Sequence, residues 1–122
     1  MSSNLSAVDV AVAFTETWAR HDMAAAAEYL ADDVAFEGPL SRTSGAQAYL
    51  EALGRFAQTV IDVTVIVALG DDERAMIMYD MTTGPFGTLR AAEYLVVRDG
   101  KITSDMLVFD THEVRKAQRP SG

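Results

Sequence analysis

The spacing of apolar residues changes once along this chain of 122 residues, near residue 60. Before that point apolar residues recur every three or four positions, which is typical of amphipathic helices. After it they alternate with polar residues or run together, which is typical of strands. Helices followed by strands favour an α+β domain, in which the helices cover one face of a sheet.

Three segments have the helical spacing, and they are 6–20, 22–30 and 44–59. Ser6, Asp22 and Ser44 stand at the starts of these segments, where a side-chain oxygen can cap a helix. Ser44 is followed three residues later by Gln47, which completes a capping box. We therefore expect three N-terminal helices.

The second half of the chain predicts a meander of four antiparallel strands, preceded by one brief strand at Val34–Glu37. The four strands are Ile61–Leu69, Arg74–Thr82, Thr88–Arg98 and Lys101–Asp110. A tail from Thr111 is polar, and we expect it to fray. The chain is thus one domain over 1–122, with an ordered core of about 6–111 and a polar tail over 112–122.

Charge and cysteine content exclude several classes of function. The formal net charge is −8, which argues against nucleic acid or a membrane surface as the partner, because phosphate binding needs clustered Lys and Arg. The chain has no cysteine, which excludes disulfides, thiolate nucleophiles and cysteine-ligated metals. The first residues carry no secretory signal pattern, so we expect a cytoplasmic protein.

Three local runs resemble the SnoaL-like family of the nuclear-transport-factor-2-like superfamily. They are Trp18-Ala19-Arg20-His21-Asp22, the run from Ala31 to Pro39, and the run from Glu93 to Ile102. The resemblance extends from about Ala7 to Asp110. It implies three helices packed on a curved, mostly antiparallel sheet that forms a cone with an internal pocket. Members of the superfamily include isomerases, epoxide hydrolases, polyketide cyclases, dehydratases and proteins without catalysis.

Comparison with the best-known activities of that superfamily argues against two of them. Ketosteroid isomerases carry a base carboxylate where this chain has Gly38, and a hydroxyl donor where it has Phe14. Limonene-epoxide hydrolases use an acid, an arginine and a second acid. Of that group only Asp80 is retained, because Met78 stands at the arginine position and the second acid falls near Leu107.

The SnoaL-type cyclases have a reacting group that this chain keeps in kind. Their acid-base aspartate falls at Glu93, which keeps the carboxylate and lengthens the side chain by one methylene. The resemblance therefore implies an acid-base role for Glu93 and a polyketide-cyclase-like or isomerase-like activity.

Asp80 and Glu93 are also anomalies of the strand pattern itself. Asp80 shares one strand face with Met76 and Met78, and a carboxylate in so apolar a strand is costly to bury unless it is paired or protonated. The strands of Asp80 and Glu93 are expected hairpin partners, so the two carboxylates can lie close together. Alternatively, both acids face solvent, or they pair with Arg90 or Arg98.

The turn at Asp99-Gly100 decides which residues of the last strand join Glu93. A two-residue turn pairs Arg98 with Lys101 and puts Ser104 and Met106 on the Glu93 face. A three-residue turn with Gly100 in a bulge puts Asp105 and Leu107 there instead. The family resemblance favours the bulged turn. The expected pocket lining is then Phe14, Trp18, Met78, Asp80, Glu93, Leu95, Asp105 and Leu107.

The functional hypothesis is that Glu93, assisted by Asp80, transfers protons on a small apolar, oxygen-bearing molecule held against Trp18. Carboxyls that share a dry pocket cannot all ionise cheaply, and a pair with separated pKa values can act as acid and base. No cofactor is expected, and two isolated histidines make no metal motif. A non-catalytic binding or interaction module on the same fold is the alternative.

An apolar outer sheet face predicts a homodimer. The residues assigned to that face are Ile77, Tyr79 and Met81, with Tyr94 and Val96 beside them.

Overall fold

A computed structural model describes residues 5–118 and confirms the α+β fold, with helices packed on one face of a six-stranded sheet. The elements in chain order are α1 (Ala7–Ala19), α2 (Met23–Ala27), β1 (Leu30–Glu37), β2 (Arg42–Ser44), α3 (Ala46–Ala57), β3 (Val60–Gly70), β4 (Arg74–Thr83), β5 (Gly87–Arg98), β6 (Lys101–Phe109) and α4 (His112–Gln118).

The first two helices begin where their caps predict. Ser6 Oγ accepts a hydrogen bond from the Asp9 amide at 3.1 Å, and Asp22 Oδ1 accepts one from the Ala25 amide at 3.1 Å. The buried face of α1 includes Phe14 and Trp18, as its spacing predicts. Through this buried face, α1 packs against β3, β4 and β5.

The capping box predicted for α3 is wrong. Ser44 belongs to the short strand β2, where it pairs with Ala35 of β1. Gly45, at a positive φ of 94°, takes the N-cap position and makes no side-chain cap hydrogen bond. Strand pairing with β1 thus overrides the local capping signal, and glycine makes the sharp change of direction cheap.

The sheet order is β2-β1-β6-β5-β4-β3. The predicted meander is confirmed, because β3, β4, β5 and β6 pair in antiparallel succession. The predicted brief strand is longer and lies parallel to β6. This insertion of β1 beside β6 extends the sheet and brings the β1–β2 turn towards α3.

The two faces of β4 are reversed relative to the prediction, which placed Ile77, Tyr79 and Met81 on the outer face of the sheet. Ile77, Tyr79 and Met81 are buried against the helices, whereas the outer face is lined by other apolar side chains. Those exposed on it include Met76, Met78, Met106 and Val108. The homodimer stays a prediction, now through this face, and sedimentation showing only a 13.2 kDa species at micromolar concentration would contradict it.

The tail expected to fray forms α4 over part of its length. Val114 is buried, and Arg115 donates hydrogen bonds to the Pro39 carbonyl at 3.1 Å and to Thr111 Oγ1 at 2.8 Å. The rest of the predicted tail, residues 119–122, lies outside the described residues. Within residues 5–118, no helix has the length and apolar character needed to cross a membrane.

Candidate functional site

A cavity of about 380 Å³ lies between the helices and the inner face of the sheet. Its closed end is formed by buried side chains, among them Trp18, Tyr49, Tyr79 and Glu93. Partly buried aromatic rings form its middle, and they are Phe36, Phe56, Phe86 and Phe109. Its mouth is bordered by exposed residues, namely Leu40, Ser41, Arg55 and Gln118. An apolar cavity with a few polar groups at one end is the usual form of a small-molecule site.

Two buried carboxyl groups lie at the closed end, on neighbouring strands. Glu93 pairs with Leu107, and Asp105 pairs with Leu95, so the two acids are diagonal neighbours on the inner face. Glu93 is 3% exposed and Asp105 is 1% exposed. Glu93 lines the cavity, and Asp105 lies behind the lining.

Each carboxyl group is held by one tyrosine. The Tyr79 hydroxyl donates to Glu93 Oε1 at 2.8 Å, and the Tyr49 hydroxyl donates to Asp105 Oδ2. Burial, together with the neighbouring carboxylates, raises the pKa of both tyrosines well above the ordinary value. Both hydroxyls therefore keep their protons and remain donors.

The pKa of Asp105 is raised well above its ordinary value. Burial is the largest cause, followed by the negative charge of Glu93 and a hydrogen bond with Glu93, while the Tyr49 hydrogen bond acts in the opposite direction. As a bare carboxylate, Asp105 would leave Oδ1 buried without a partner. A proton on Oδ1 makes that atom a donor, and Glu93 is the acidic group beside it.

Aromatic contacts fix the two tyrosines. Tyr49 stacks on Phe36 with ring centroids 4.4 Å apart, and it also contacts Phe14 at 6.0 Å. Tyr79 and Trp18 form a T-shaped pair with ring centroids 6.3 Å apart. These rings are rigid and closely packed, so the hydroxyls that hold the acids cannot move far.

A β-bulge brings Asp105 to the inner face. The turn at Asp99-Gly100 has two residues, both with positive φ, and it pairs Arg98 with Lys101. The register then shifts between Val96 and Val97, so that Thr103 is the extra residue. Asp105 and Leu107 lie on the same face of the sheet as Glu93, as expected, but the bulge lies in β6 rather than at Gly100.

The structure divides the residues that the sequence assigned to the pocket. Glu93, Trp18 and Leu107 line the cavity. Phe14, Leu95 and Asp105 are buried on the same side of the sheet but lie behind the lining.

The assignment of Asp80 and Met78 to the pocket is wrong. Both lie on the outer face, because the alternate residues Ile77, Tyr79 and Met81 occupy the inner one. Asp80 pairs with Arg90 across the ladder, with Nε to Oδ1 at 2.8 Å and Nη2 to Oδ2 at 3.0 Å. The pKa of Asp80 is accordingly lowered, chiefly by this hydrogen bond. The alternative pairing with Arg90 is the one that the structure contains.

Two residues of the site, Tyr49 and Tyr79, were absent from the predicted lining. Tyr49 lies on the apolar face of α3, and Tyr79 lies in an apolar strand. A buried tyrosine needs a hydrogen-bond partner for its hydroxyl. Two tyrosines at such positions therefore signal buried acceptors, which here are the two carboxyl groups.

Within residues 5–118, no three His, Asp or Glu side chains are grouped so that they could hold a metal ion. The site consists of an acid pair, two phenolic donors and an apolar cavity. Such an arrangement can bind a small apolar molecule and exchange a proton with it.

Comparison with known proteins places the chain among related folds. A family model described as the SnoaL-like domain matches residues 11–105. A solved structure from Kribbella flavida is 32% identical, with 93% of each chain covered and a TM-score of 0.89. No curated protein matches the sequence.

Two further solved structures show how varied the neighbours are. A putative ketosteroid isomerase, also from Kribbella flavida, is 26% identical, with 84% of this chain and 76% of that chain covered and a TM-score of 0.70. An NTF2-like protein of unknown function from Cytophaga hutchinsonii is 19% identical and has a TM-score of 0.81, with 94% of this chain and 99% of that chain covered. The latter likeness concerns the fold alone.

Proposed function

The chain belongs to the SnoaL-like family, and on that premise we propose that it binds a small apolar, oxygen-bearing molecule and transfers a proton on it without a cofactor. Glu93 exchanges the proton, and Asp105 takes the assisting role first given to Asp80. The reaction class is isomerisation, cyclisation or dehydration. One observation carries the proposal, namely the two tyrosine-held carboxyls at the closed end of an apolar cavity.

Glu93 has the access that a general base needs. Its Oε1 accepts a hydrogen bond from the Tyr79 hydroxyl, and its side chain lines the cavity. An ionised carboxylate has about four acceptor sites, so Glu93 can accept hydrogen bonds from Tyr79 and Asp105 and still approach a ligand proton to hydrogen-bond distance. The fixed Oε1 limits the rotation of the carboxylate, which favours one direction of attack.

Asp105 sets the charge of the pair. With one proton on Asp105, the pair carries a single negative charge, on Glu93. When Glu93 removes a proton from a carbon beside a carbonyl, the C–H bond breaks, its electron pair forms an enolate, and the acid pair becomes neutral. Glu93 then returns the proton to another atom of the ligand. The acid pair is then uncharged, and an uncharged pair is less costly to bury in a site with little water.

A non-catalytic binding module is the second candidate, and one observation favours it. The two phenolic hydroxyls at the closed end already donate to carboxyl groups. An enolate oxygen would thus find no free phenolic donor there, and stabilisation of that oxygen is usually a large part of catalysis. Ligand binding alone makes no such demand.

Hydrogen–deuterium exchange into 2-tetralone, a small apolar ketone with acidic C–H bonds, tests the proposal. Proton NMR in D₂O measures the rate with the wild-type protein and with Glu93→Gln. We expect the protein-dependent rate to fall by about 10²- to 10⁴-fold in the variant, because a positioned general base contributes that much.

Asp80→Asn is the matched control, because it removes a carboxylate from the outer face of the same sheet. It should leave the exchange rate unchanged. An undiminished rate in Glu93→Gln would refute the role of Glu93. Saturable binding of 2-tetralone without exchange would instead support the binding module.

A further inference from the structure

The cavity has opposite charges at its two ends. Among the described residues that line it, Glu93 and Arg55 are the only charged ones. Glu93 is buried at the closed end, and Arg55 is exposed at the mouth. The wall between them is formed mainly by aromatic and aliphatic side chains.

Arg55 is not engaged by an acidic side chain. Within residues 5–118, the ion pairs join Arg42 to Glu37, Arg74 to Asp71 and Arg90 to Asp80. Arg55 takes part in none of them, although the chain has 18 acidic and only 10 basic residues. Its charge at the mouth is therefore available to a ligand.

A second arginine lies beside the same opening. Arg115 of α4 donates from Nη2 to the carbonyl of Pro39, and Pro39 itself borders the cavity. Arg55 of α3 and Arg115 of α4 are thus two basic residues beside the same opening. In a protein with a net charge of −8, two such cations offset part of the long-range repulsion of an anion.

We propose that the ligand is an apolar monocarboxylate, whose anionic group binds Arg55 at the mouth while its neutral oxygen-bearing end reaches Glu93. The reacting end rests on the proposed function, whereas the anionic end rests on Arg55, with Arg115 beside the same opening. A carboxylate suits the position because its two oxygens match the planar fork of a guanidinium group. The arrangement also fixes the direction of binding, since a reversed ligand would bring its carboxylate against Glu93.

The test compares two probes of nearly equal shape. 4-Acetylphenylacetate has a ketone at one end, an aromatic ring and a carboxylate at the other end, and its amide has the same framework without the charge. Binding of each probe at pH 7 is measured by ligand-observed NMR titration. We expect the acid to bind the wild-type protein about three- to fivefold more tightly than the amide, as for an exposed ion pair.

Two single-charge variants separate the role of Arg55 from general electrostatics. Arg55→Gln should reduce the ratio of the two affinities to one or below, with little effect on the amide. Arg98→Gln removes the same charge from an exposed site at the C-terminal end of β5, outside the cavity lining. It should leave the ratio as in the wild type.

Three outcomes would overturn the inference: equal affinities of the two probes for the wild-type protein, a preference that persists in Arg55→Gln, or no binding of the acid at millimolar concentration. None of these results concerns the exchange of 2-tetralone, which carries no charge. Failure of the anion proposal is therefore distinguishable from failure of the proposed function.

Discussion

Four side chains at the closed end of the cavity, Tyr49, Tyr79, Glu93 and Asp105, depend on one another. A hydrogen bond to a charged group stabilises a folded protein by about 1.5–3 kcal/mol, and a buried carboxylate without partners costs more than that. The tyrosine hydroxyls supply one donor to each acid, and the proton on Asp105 supplies the remaining one. The network is thus complete only while Asp105 stays protonated.

Asp105→Asn tests this dependence through stability. The unfolded chain releases the Asp105 proton near pH 4, whereas the folded protein retains it to higher pH because the pKa of Asp105 is raised. The stabilisation that this proton provides is complete below about pH 4 and is lost as the pH rises towards the folded-state pKa. Relative to the variant, the wild-type free energy of unfolding should fall by up to about 1.4 kcal/mol per pH unit.

Urea unfolding of both proteins from pH 4 to 8 measures this difference. Asp80→Asn serves as the control, because the pKa of Asp80 is lowered and its contribution changes only in acid. If the difference between wild type and Asp105→Asn stayed constant over this range, Asp105 would not be the group that retains the proton.

At the level of elements, periodicity predicted the strands well but not the inner face of β4. Both faces of this strand are apolar, with Met76 and Met78 on one side and Ile77 and Tyr79 on the other. Alternation alone therefore cannot decide between them. The useful signal was Arg90, which the hairpin register places opposite Asp80 and which identifies that carboxylate as part of a surface pair.

The inward position of Asp105 and Leu107 in the last strand was predicted correctly, but from a turn that the structure does not contain. The Asp99-Gly100 turn has two residues, as a dipeptide of this type favours. The expected three-residue turn does not form, and a bulge at Thr103 restores the inward position of Asp105. A bulge within a strand has little local sequence signature, so the register could not be derived from the turn alone.

Single-residue deletions test the role of this bulge. Deleting Thr103 should convert the ladder between β5 and β6 into a regular one and keep Asp105 opposite Leu95. Deleting Met106 instead should move Leu107 and Phe109 to the outer face. We expect thermal unfolding monitored by circular dichroism to show a smaller loss of stability for the first deletion than for the second. Equal losses would contradict this account of the register.

The C-terminal helix shows another limit of local patterns. Its seven residues contain only two apolar residues, Val114 and Ala117, so periodicity could not distinguish it from a polar tail. Tertiary contacts decide its structure, because Val114 is buried at the cavity and Arg115 binds the Pro39 carbonyl. Gln118, which borders the mouth of the cavity, thus comes from the segment that the sequence analysis placed outside the ordered core.

Across the whole molecule, the fold separates the acidic residues by environment. Many acids lie at the surface, and several of them pair with arginines. Glu93 and Asp105 are the two buried acids among the described residues. The sheet and α3 enclose these two with tyrosines, while α3 and α4 bring arginines to the mouth. Net charge alone gave no indication of this division.

The central claim is that Asp105 keeps a proton, beside Glu93, at pH values where an ordinary aspartate is ionised. Carbon-13 NMR of the Asp105 carboxyl carbon, assigned by its disappearance in Asp105→Asn, measures this directly. We predict that the carbon keeps the chemical shift of a protonated acid at pH values where an ordinary aspartate, with a pKa of about 4, is already ionised. A titration of Asp105 centred at or below about pH 4 would contradict the account.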